Sequence, residues 1–478
     1  MIRSIIKYII IFSSTILFSN CEKILEEKMY SDLAESNFLT TETGIQMVLN
    51  AAYDNIQMHG QNMEYRMLHD VFTSGIGWGK GGSMERDDGV PFRNFSWNSN
   101  SPKFQYFWTA LYLAIRNSNI VLDNIDNEKF SDDFKIRITA EAKAIRGFSY
   151  VLIHSFWGTA PLFTTAKTTD FRLSRATESE IHNQIEKDLS EAIEVLPVEQ
   201  SQYGRFTKGA VMGILCKYYL NTKQWQKCSD MALEIIGLNK YELLPNYADI
   251  FNITNEGNNE LLWIHPSLIS PASVGNNITA LTLPLDYPLL SNQGNYAATV
   301  YFFDSFIDAF DATDTRKDLF ITQYVNKSNI LVIGYGNNMS LQNKYAPDPN
   351  GMGSCNGVDL IEIRYADILL SLAEALNEMD GPSQQIIDLI NQIRFRANVS
   401  LIELANFDKD SLRDFIFNER RLELYFEAKE REDLIRQGKF ISNAKAWAIL
   451  ADDHHVLYPI PQRELDANPN LEQNPGYN

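Results

Sequence analysis

Residues Ile363–Arg396 read IRYADILLSLAEALNEMDGPSQQIIDLINQIRFR. In the first half, Ala366, Leu369, Leu370, Ala373 and Leu376 fall at i, i+3, i+4, i+7 and i+10, one apolar stripe on a helix. Asp380, Gly381 and Pro382 end that helix and turn the chain. Ile386, Leu389, Ile390 and Ile393 repeat the stripe. Two amphipathic helices joined by so short a connection pack antiparallel, and Ala366 and Ala373 let them approach closely. This is an αα-hairpin.

The chain holds others. In Thr207–Gly237, Ala210, Ile214, Leu215 and Tyr218 line one helix. Trp225, Cys228, Ala232, Ile235 and Ile236 line the next. Phe104–Ile125 with Asp132–Phe156 forms a longer pair, and Ser411–Gly438 is a further pair or one kinked helix. Stacked helix pairs of this size belong to the tetratricopeptide (TPR) class of solenoid. Their irregular spacing predicts TPR-like packing rather than a tandem array. Glu42–Met58 adds a helix with Ile45, Leu49, Ala52, Tyr53 and Ile56 on one face. Thr177 and Glu180 form a capping box ahead of a stripe of Ile181, Ile185, Leu189, Ala192 and Leu196.

Two regions break this pattern. Between Met67 and Lys103, Gly75, Gly77, Gly79, Gly81, Gly82 and Gly89 crowd together and predict a long loop after a helix that stops at His59–Gly60. Pro266–Asp359 is rich in Asn, Gly, Pro and Tyr, with a short helix suggested by Phe302, Phe306 and Phe310. Long loops in a helical protein tend to carry function. The tail Leu457–Asn478 is proline-punctuated and predicts an extended strap along the surface.

The 478 residues are 45% hydrophobic, ample for a large core, and the formal net charge of −19 argues against a nucleic-acid partner. Met1–Asn20 has a basic start at Arg3 and Lys7 and an apolar run over Tyr8–Phe18, the pattern of a secretory signal peptide. Cys21 follows directly, as in lipoproteins whose cysteine is lipidated after cleavage, although Phe18 and Asn20 depart from the usual box. The other reading is an ordinary secreted protein. The expected mature chain is one lipid-anchored unit over 21–478, with parts at about 21–237 and 265–478. Of the remaining cysteines, Cys216 and Cys228 sit on facing helices as a disulfide or two buried thiols, and Cys355 stands apart.

Catalytic motifs do not appear, and neither an enzyme nor a cofactor is expected. Asp452–His455 is the one cluster that looks like metal ligands; adjacent residues diverge, and no metal is expected there. Glu419, Glu423 and Glu427 lie on one helix face, more consistent with an ion-pair network involving Arg420, Arg421 or Arg431 than with acid–base work. Asp314 and Arg316 suggest the same kind of pairing. Binding remains. An indole or phenol offers a flat face to the C–H side of a sugar ring, while amides and charges reach its hydroxyls. Trp78 and Trp97, with Asn98, Arg86 and Asp87, are candidates for this role, and Tyr287, Tyr296 and Tyr335 extend the set. Trp108 and Trp225 sit on helix stripes and are assigned to the core.

Several of these texts occur together in one known family. Phe107–Tyr112 reads FWTALY and is followed by Ile115–Asn119; Ala140–Phe148 reads AEAKAIRGF and is followed by Phe156–Leu162. Then come Ile363–Leu370, Ala373–Asn377, Ile390–Arg394, Glu419–Leu424, Asp433–Arg436, Tyr458–Pro461 and Gln473–Tyr477. In register from Cys21 to the end, they resemble the RagB/SusD family of Bacteroidetes outer-membrane lipoproteins. The resemblance implies a mainly helical fold of about four TPR-like pairs, with an irregular ligand-facing remainder. It implies a surface nutrient-binding protein, for glycans or, on the RagB branch, peptides, sitting as a lid on a SusC-like TonB-dependent β-barrel transporter. It also suggests that Glu22, Glu26 and Glu27 direct the anchor to the outer face. A TPR-like scaffold that recruits only protein partners is the remaining alternative.

Overall fold

The computed structural model describes residues 38–57, 61–269 and 275–477. Met1–Asn20, Cys21 and the acidic flank after it lie outside the described residues. The helices follow the apolar stripes. Helix α1 (Glu42–Gln57) buries Ile45, Leu49, Ala52, Tyr53 and Ile56. After α2 (Gln61–Ser74) and strand β1 (Gly77–Lys80) come α3 (Pro102–Asn124) and α4 (Asp132–Trp157). Helix α4 buries Ala140, Ala144, Ile145, Phe148, Leu152 and Phe156. Helix α5 (Glu178–Val195) begins with the expected capping box: Thr177 Oγ1 accepts from the Glu180 amide, and the Glu180 carboxylate accepts from the Thr177 amide at 2.8 Å. Helices α6 (Lys208–Asn221) and α7 (Trp225–Gly237) complete the next hairpin. Each of these packs on its neighbour in a continuing stack: α1 on α3, α3 on α4, α4 on α5, α5 on α6, α6 on α7.

The stack then joins the second half of the chain. Strand β2 (Leu261–His265) pairs antiparallel with a strand at Leu360–Arg364, which runs straight into α8 (Tyr365–Asp380). Helix α8 packs on α7, on its hairpin partner α9 (Gln384–Arg396) and on α10 (Lys409–Glu423), which is followed by α11 (Glu430–Arg436). Gly381 has φ +82°, the left-handed conformation that ends α8. Helix α6 is buried along nearly its whole circumference because α5, α7, α8 and β2 all cover it. The Ser411–Gly438 text is therefore a helix pair, and the chain has the mainly helical, helix-pair fold that its stripes predict.

The Met67–Lys103 region is not a long loop. Helix α2 runs through Ser74, and β1 then pairs antiparallel with β3 (Thr299–Phe302), with short helices at Gly82–Arg86 and Gly89–Arg93. The glycines serve close approach. A Cβ on Gly77 would stand 2.4 Å from the Tyr301 carbonyl oxygen. One on Gly79 would stand 3.0 Å from both Met84 Cβ and the Phe72 ring. The tail also departs from its expectation. Tyr458 and Ile460 are buried, the Trp157 indole donates to Pro459 O at 3.0 Å, and Asn474 Nδ2 donates to Trp157 O and Tyr458 O. The tail is threaded into the core rather than laid over it.

Candidate functional site

The β1–β3 ribbon carries Trp78, the half-buried aromatic beside the cleft. Strand alternation turns Gly77 and Gly79 inward and Trp78 outward. Trp78 lies opposite Tyr301 in the register, and the two rings pack at 4.9 Å between centroids. The Trp78 indole N–H donates to Asn338 O at 2.8 Å, which fixes the ring plane while leaving it half-buried. Tyr287 and Tyr324 pack against the same small cluster, built on Leu283, Tyr301 and Leu341, with their own rings 5.2 Å apart.

An open cleft of about 690 Å³ adjoins Trp78. Lys80, Glu85, Arg93, Asn94 and Asn338 supply its polar lining, and Val90 and Phe303 supply apolar wall. Arg93 sits 4.7 Å over the Phe303 ring and donates to Gly77 O at 3.3 Å; partial burial lowers its pKa. An aromatic face beside fixed donors and acceptors is the chemistry that recognises a polyhydroxylated ring.

The end of the ribbon leads to a second polar surface. Lys103 Nζ lies 3.4 Å from the centre of the Tyr65 ring and 3.7 Å from Asp88 Oδ1. Burial lowers the Lys103 pKa and raises that of Asp88. Burial also pushes Glu64 up to about 8, although one of its oxygens accepts the Asn277 amide. Tyr106 and Tyr296, 41% and 44% exposed, stand close enough to help raise the Tyr65 phenol.

The predicted candidates thus separate. Trp78 and Tyr287 come together on one cluster. Tyr335 is exposed, donates to Asp308 at 2.6 Å, and belongs to the turn that supplies Asn338. Tyr296 lies near Tyr65, its hydroxyl donating to Ser354 Oγ at 2.9 Å. Arg86 is exposed on the 82–86 helix. Asn98 is exposed but belongs to a local turn, its side-chain oxygen accepting from the Asn100 amide.

Trp97 is a correction. It is 4% exposed, packed among Phe92, Phe95, His455 and Tyr458, and its indole donates to the Tyr477 hydroxyl at 2.8 Å. No face remains for a ligand. Sequence reasoning missed Tyr65, Lys103 and Tyr106. Tyr65 falls between the helix end at His59–Gly60 and the glycine-rich region, Lys103 is the last residue of that region, and Tyr106 lies on the exposed side of a helix whose pattern marks only its buried stripe.

Three other groups resolve. Cys216 and Cys228 are buried free thiols with sulfurs 3.8 Å apart. Asp452–His455 is a capped turn in which His455 Nδ1 bonds back to Asp452 and His454 Nδ1 lies 3.7 Å from Asp452 Oδ2. Glu419 and Glu423 on α10, and Glu427 in the turn four residues beyond its end rather than on the same helix face, form an ion-pair network, but with other partners than the neighbouring arginines. Arg316 binds Asp314, Glu419 and Glu423; Arg364 binds Glu260, Glu423 and Glu427. Arg420 turns instead to Asp367 and Asp433, and Arg421 to Glu430. A more enclosed cavity of about 220 Å³ lies among α4, α6 and α11, but its charged walls are already matched, Arg66 to Glu362 at 2.6 Å and Arg436 to Glu374 at 2.7 Å.

The chain combines a stack of helix pairs with short strand pairs and irregular segments, and this is the fold of SusD superfamily structures. A family model described as the SusD family matches residues 321–477, and another, described as starch-binding associating with outer membrane, matches residues 23–220. The chain is 28% identical to SusD-like protein P25 of Formosa agariphila over 98% of both chains. It is 24% identical to starch-binding protein SusD of Bacteroides thetaiotaomicron over 82% of each. A solved laminarin-binding SusD-like protein superposes with a TM-score of 0.76 at 25% identity, covering 92% of this chain and all of that one. The chain belongs to the SusD/RagB family.

Proposed function

We propose that this protein is a surface lipoprotein, anchored in the outer membrane through Cys21, that binds an oligosaccharide and delivers it to a SusC-like TonB-dependent barrel. The observation that carries the reading is Trp78, held on edge by Tyr301 and Asn338 beside a cleft with polar groups on its walls. Starch and laminarin, named for two of the similar proteins, are both glucans, which supports a glycan as ligand. The family's description as associating with the outer membrane supports the location.

The test is calorimetric titration of the protein with a panel of plant, host and microbial oligosaccharides plus mixed oligopeptides. One glycan class should bind. Trp78→Ala should weaken that binding by roughly tenfold or more, the equivalent of about 1.4 kcal/mol of lost ring contact, with the fold intact by circular dichroism. Binding to peptides and to no glycan, or undiminished glycan binding by the variant, would overturn the proposal.

A further inference from the structure

His154 stands in the last turn of α4, and Glu178 and His182 stand one turn apart at the start of α5. Packing α4 on α5 brings these three side chains together, His154 and Glu178 being 24 residues apart in the chain. His154 Nε2 is 2.9 Å from Glu178 Oε2, and His182 Nε2 is 3.5 Å from the same oxygen. The three ligand atoms all lie within 4.8 Å of one another, and no other group of His, Cys, Asp and Glu among the described residues does the same. Ligands bound tetrahedrally at about 2.0–2.1 Å from a zinc ion are about 3.3 Å apart, so two of the three separations already match.

A separate observation points the same way. The other nitrogen of His182, Nδ1, is hydrogen-bonded to the Tyr218 hydroxyl on α6. With Nδ1–H donating to the phenol oxygen, Nε2 presents its lone pair toward Glu178. This is how metal-binding histidines are usually oriented, by a partner on the remote ring nitrogen. The nearby cations hold other partners: Arg175 donates to Thr159 O at 2.8 Å and Trp157 O at 3.1 Å, with its charge still acting on Glu178, and Lys227, which faces His182, pairs with Glu186. The Glu178 side chain is 62% exposed, so an ion can enter from solvent.

We propose that His154, Glu178 and His182 bind one divalent transition cation of the zinc type, with Tyr218 as the positioning residue for His182. Two imidazoles and a carboxylate suit such an ion better than magnesium or calcium, which prefer all-oxygen sites. The bound ion joins α4 to α5 on the helix-pair side, and its fourth position faces water. Sequence spacing gave no hint of this because the ligands lie on two helices.

The experiment is equilibrium dialysis of the full chain against Zn²⁺, with metal analysis, followed by thermal unfolding with Zn²⁺ or Mg²⁺ added. One Zn²⁺ per chain and a rise in Tm with Zn²⁺ but not Mg²⁺ are expected. His182→Ala and Glu178→Gln should each weaken binding at least about tenfold, and Tyr218→Phe roughly tenfold through the freed ring. Circular dichroism verifies that each variant folds, and His154→Gln provides an independent variant at the facing helix. Absence of stoichiometric Zn²⁺, or Zn²⁺ bound as tightly by the double variant His154→Gln/His182→Ala as by the wild type, would overturn the assignment.

Discussion

Replacing Glu423 by glutamine tests whether the carboxylates of α10 hold the structure or do chemistry. Glu423 is fully buried. Its Oε1 accepts from Arg364 at 2.5 Å and from Arg396, and its Oε2 accepts from Arg316 at 3.1 Å. Around it, Lys344, Arg316, Arg364, Arg394 and Arg396 face Glu260, Asp314, Glu419, Glu423 and Glu427, five cations against five carboxylates. Glutamine keeps the shape but removes one charge and turns an amide N–H₂ toward guanidinium donors. Breaking a buried pair in this way costs about 3–5 kcal/mol, because the remaining charges stay buried without compensation. Three contacts on one carboxylate put the expectation near about 4 kcal/mol, a large part of a typical folding free energy. The arginines hold the Glu423 carboxyl well below the usual carboxylate range, so its contribution is complete at neutral pH and lost only in strong acid. Urea unfolding at pH 7, followed by circular dichroism and tryptophan fluorescence, reads the change. Glu199→Gln, at a surface pair with Lys240, is the control and should leave the midpoint unmoved. A loss below about 1 kcal/mol in Glu423→Gln would refute the structural reading of this network.

Trp97→Phe should cost about 1–3 kcal/mol by removing the hydrogen bond to Tyr477 and leaving a small void, while changing ligand affinity less than about twofold. Unchanged stability with a tenfold loss of affinity would return Trp97 to the binding surface. Burial beside Glu430 pushes Asp70 up to about 8, above its unfolded value of about 3.9, so the folded state holds a proton that the unfolded state releases. Its contribution is therefore complete below pH 4 and lost as pH rises to about 8, at up to about 1.4 kcal/mol per pH unit. Denaturation from pH 5 to 8, where the lowered carboxylates stay ionised, should show falling stability, flattened in Asp70→Asn; parallel profiles for the two proteins would dismiss the idea.

The sequence made the helices legible where an apolar stripe marks the buried face. Helices α1, α4 and α5 bury the residues their spacing assigns. It did not make the Gly77–Lys80 strand legible, because glycine needed for close approach and glycine needed for a loop look alike in composition. Gly77 is explained chiefly by the Tyr301 carbonyl, more than two hundred residues away, with Val71 Cγ1 next. The two tryptophans show the same limit. Trp78 and Trp97 stand in similar text, yet one is fixed on a ribbon edge and the other is closed over by Tyr477, 380 residues distant. Likewise, Glu419 and Glu423 of α10 were visible as a pair, but their arginine partners come from Arg316, Arg364 and Arg396 rather than from the adjoining turn, and Glu427 joins them from beyond the helix end.

These distant partners also explain how an irregular aromatic layer is held in place without long regular sheets. The β1–β3 ribbon is only four residues long on each side, too small to order itself. It is fixed from both ends. Helix α2 leads into β1 and is tied to the second half of the chain by the Arg66–Glu362 pair and by the Asp70 side chain, whose Oδ1 accepts the Arg431 amide at 2.5 Å. Phe302, at the far end of β3, packs against Phe320, Tyr425 and Phe426, beside the charged network beneath α10. The rigidity that presents Trp78 to solvent is therefore drawn from the ionic and aromatic core behind it. Loosening the charged and aromatic network directly behind β3 should blunt ligand binding even when no residue of the cleft is changed. On this argument Glu423→Gln weakens binding in proportion to its loss of stability, and restoring stability by lower temperature restores binding. A Trp78 variant, by contrast, remains weak at every temperature.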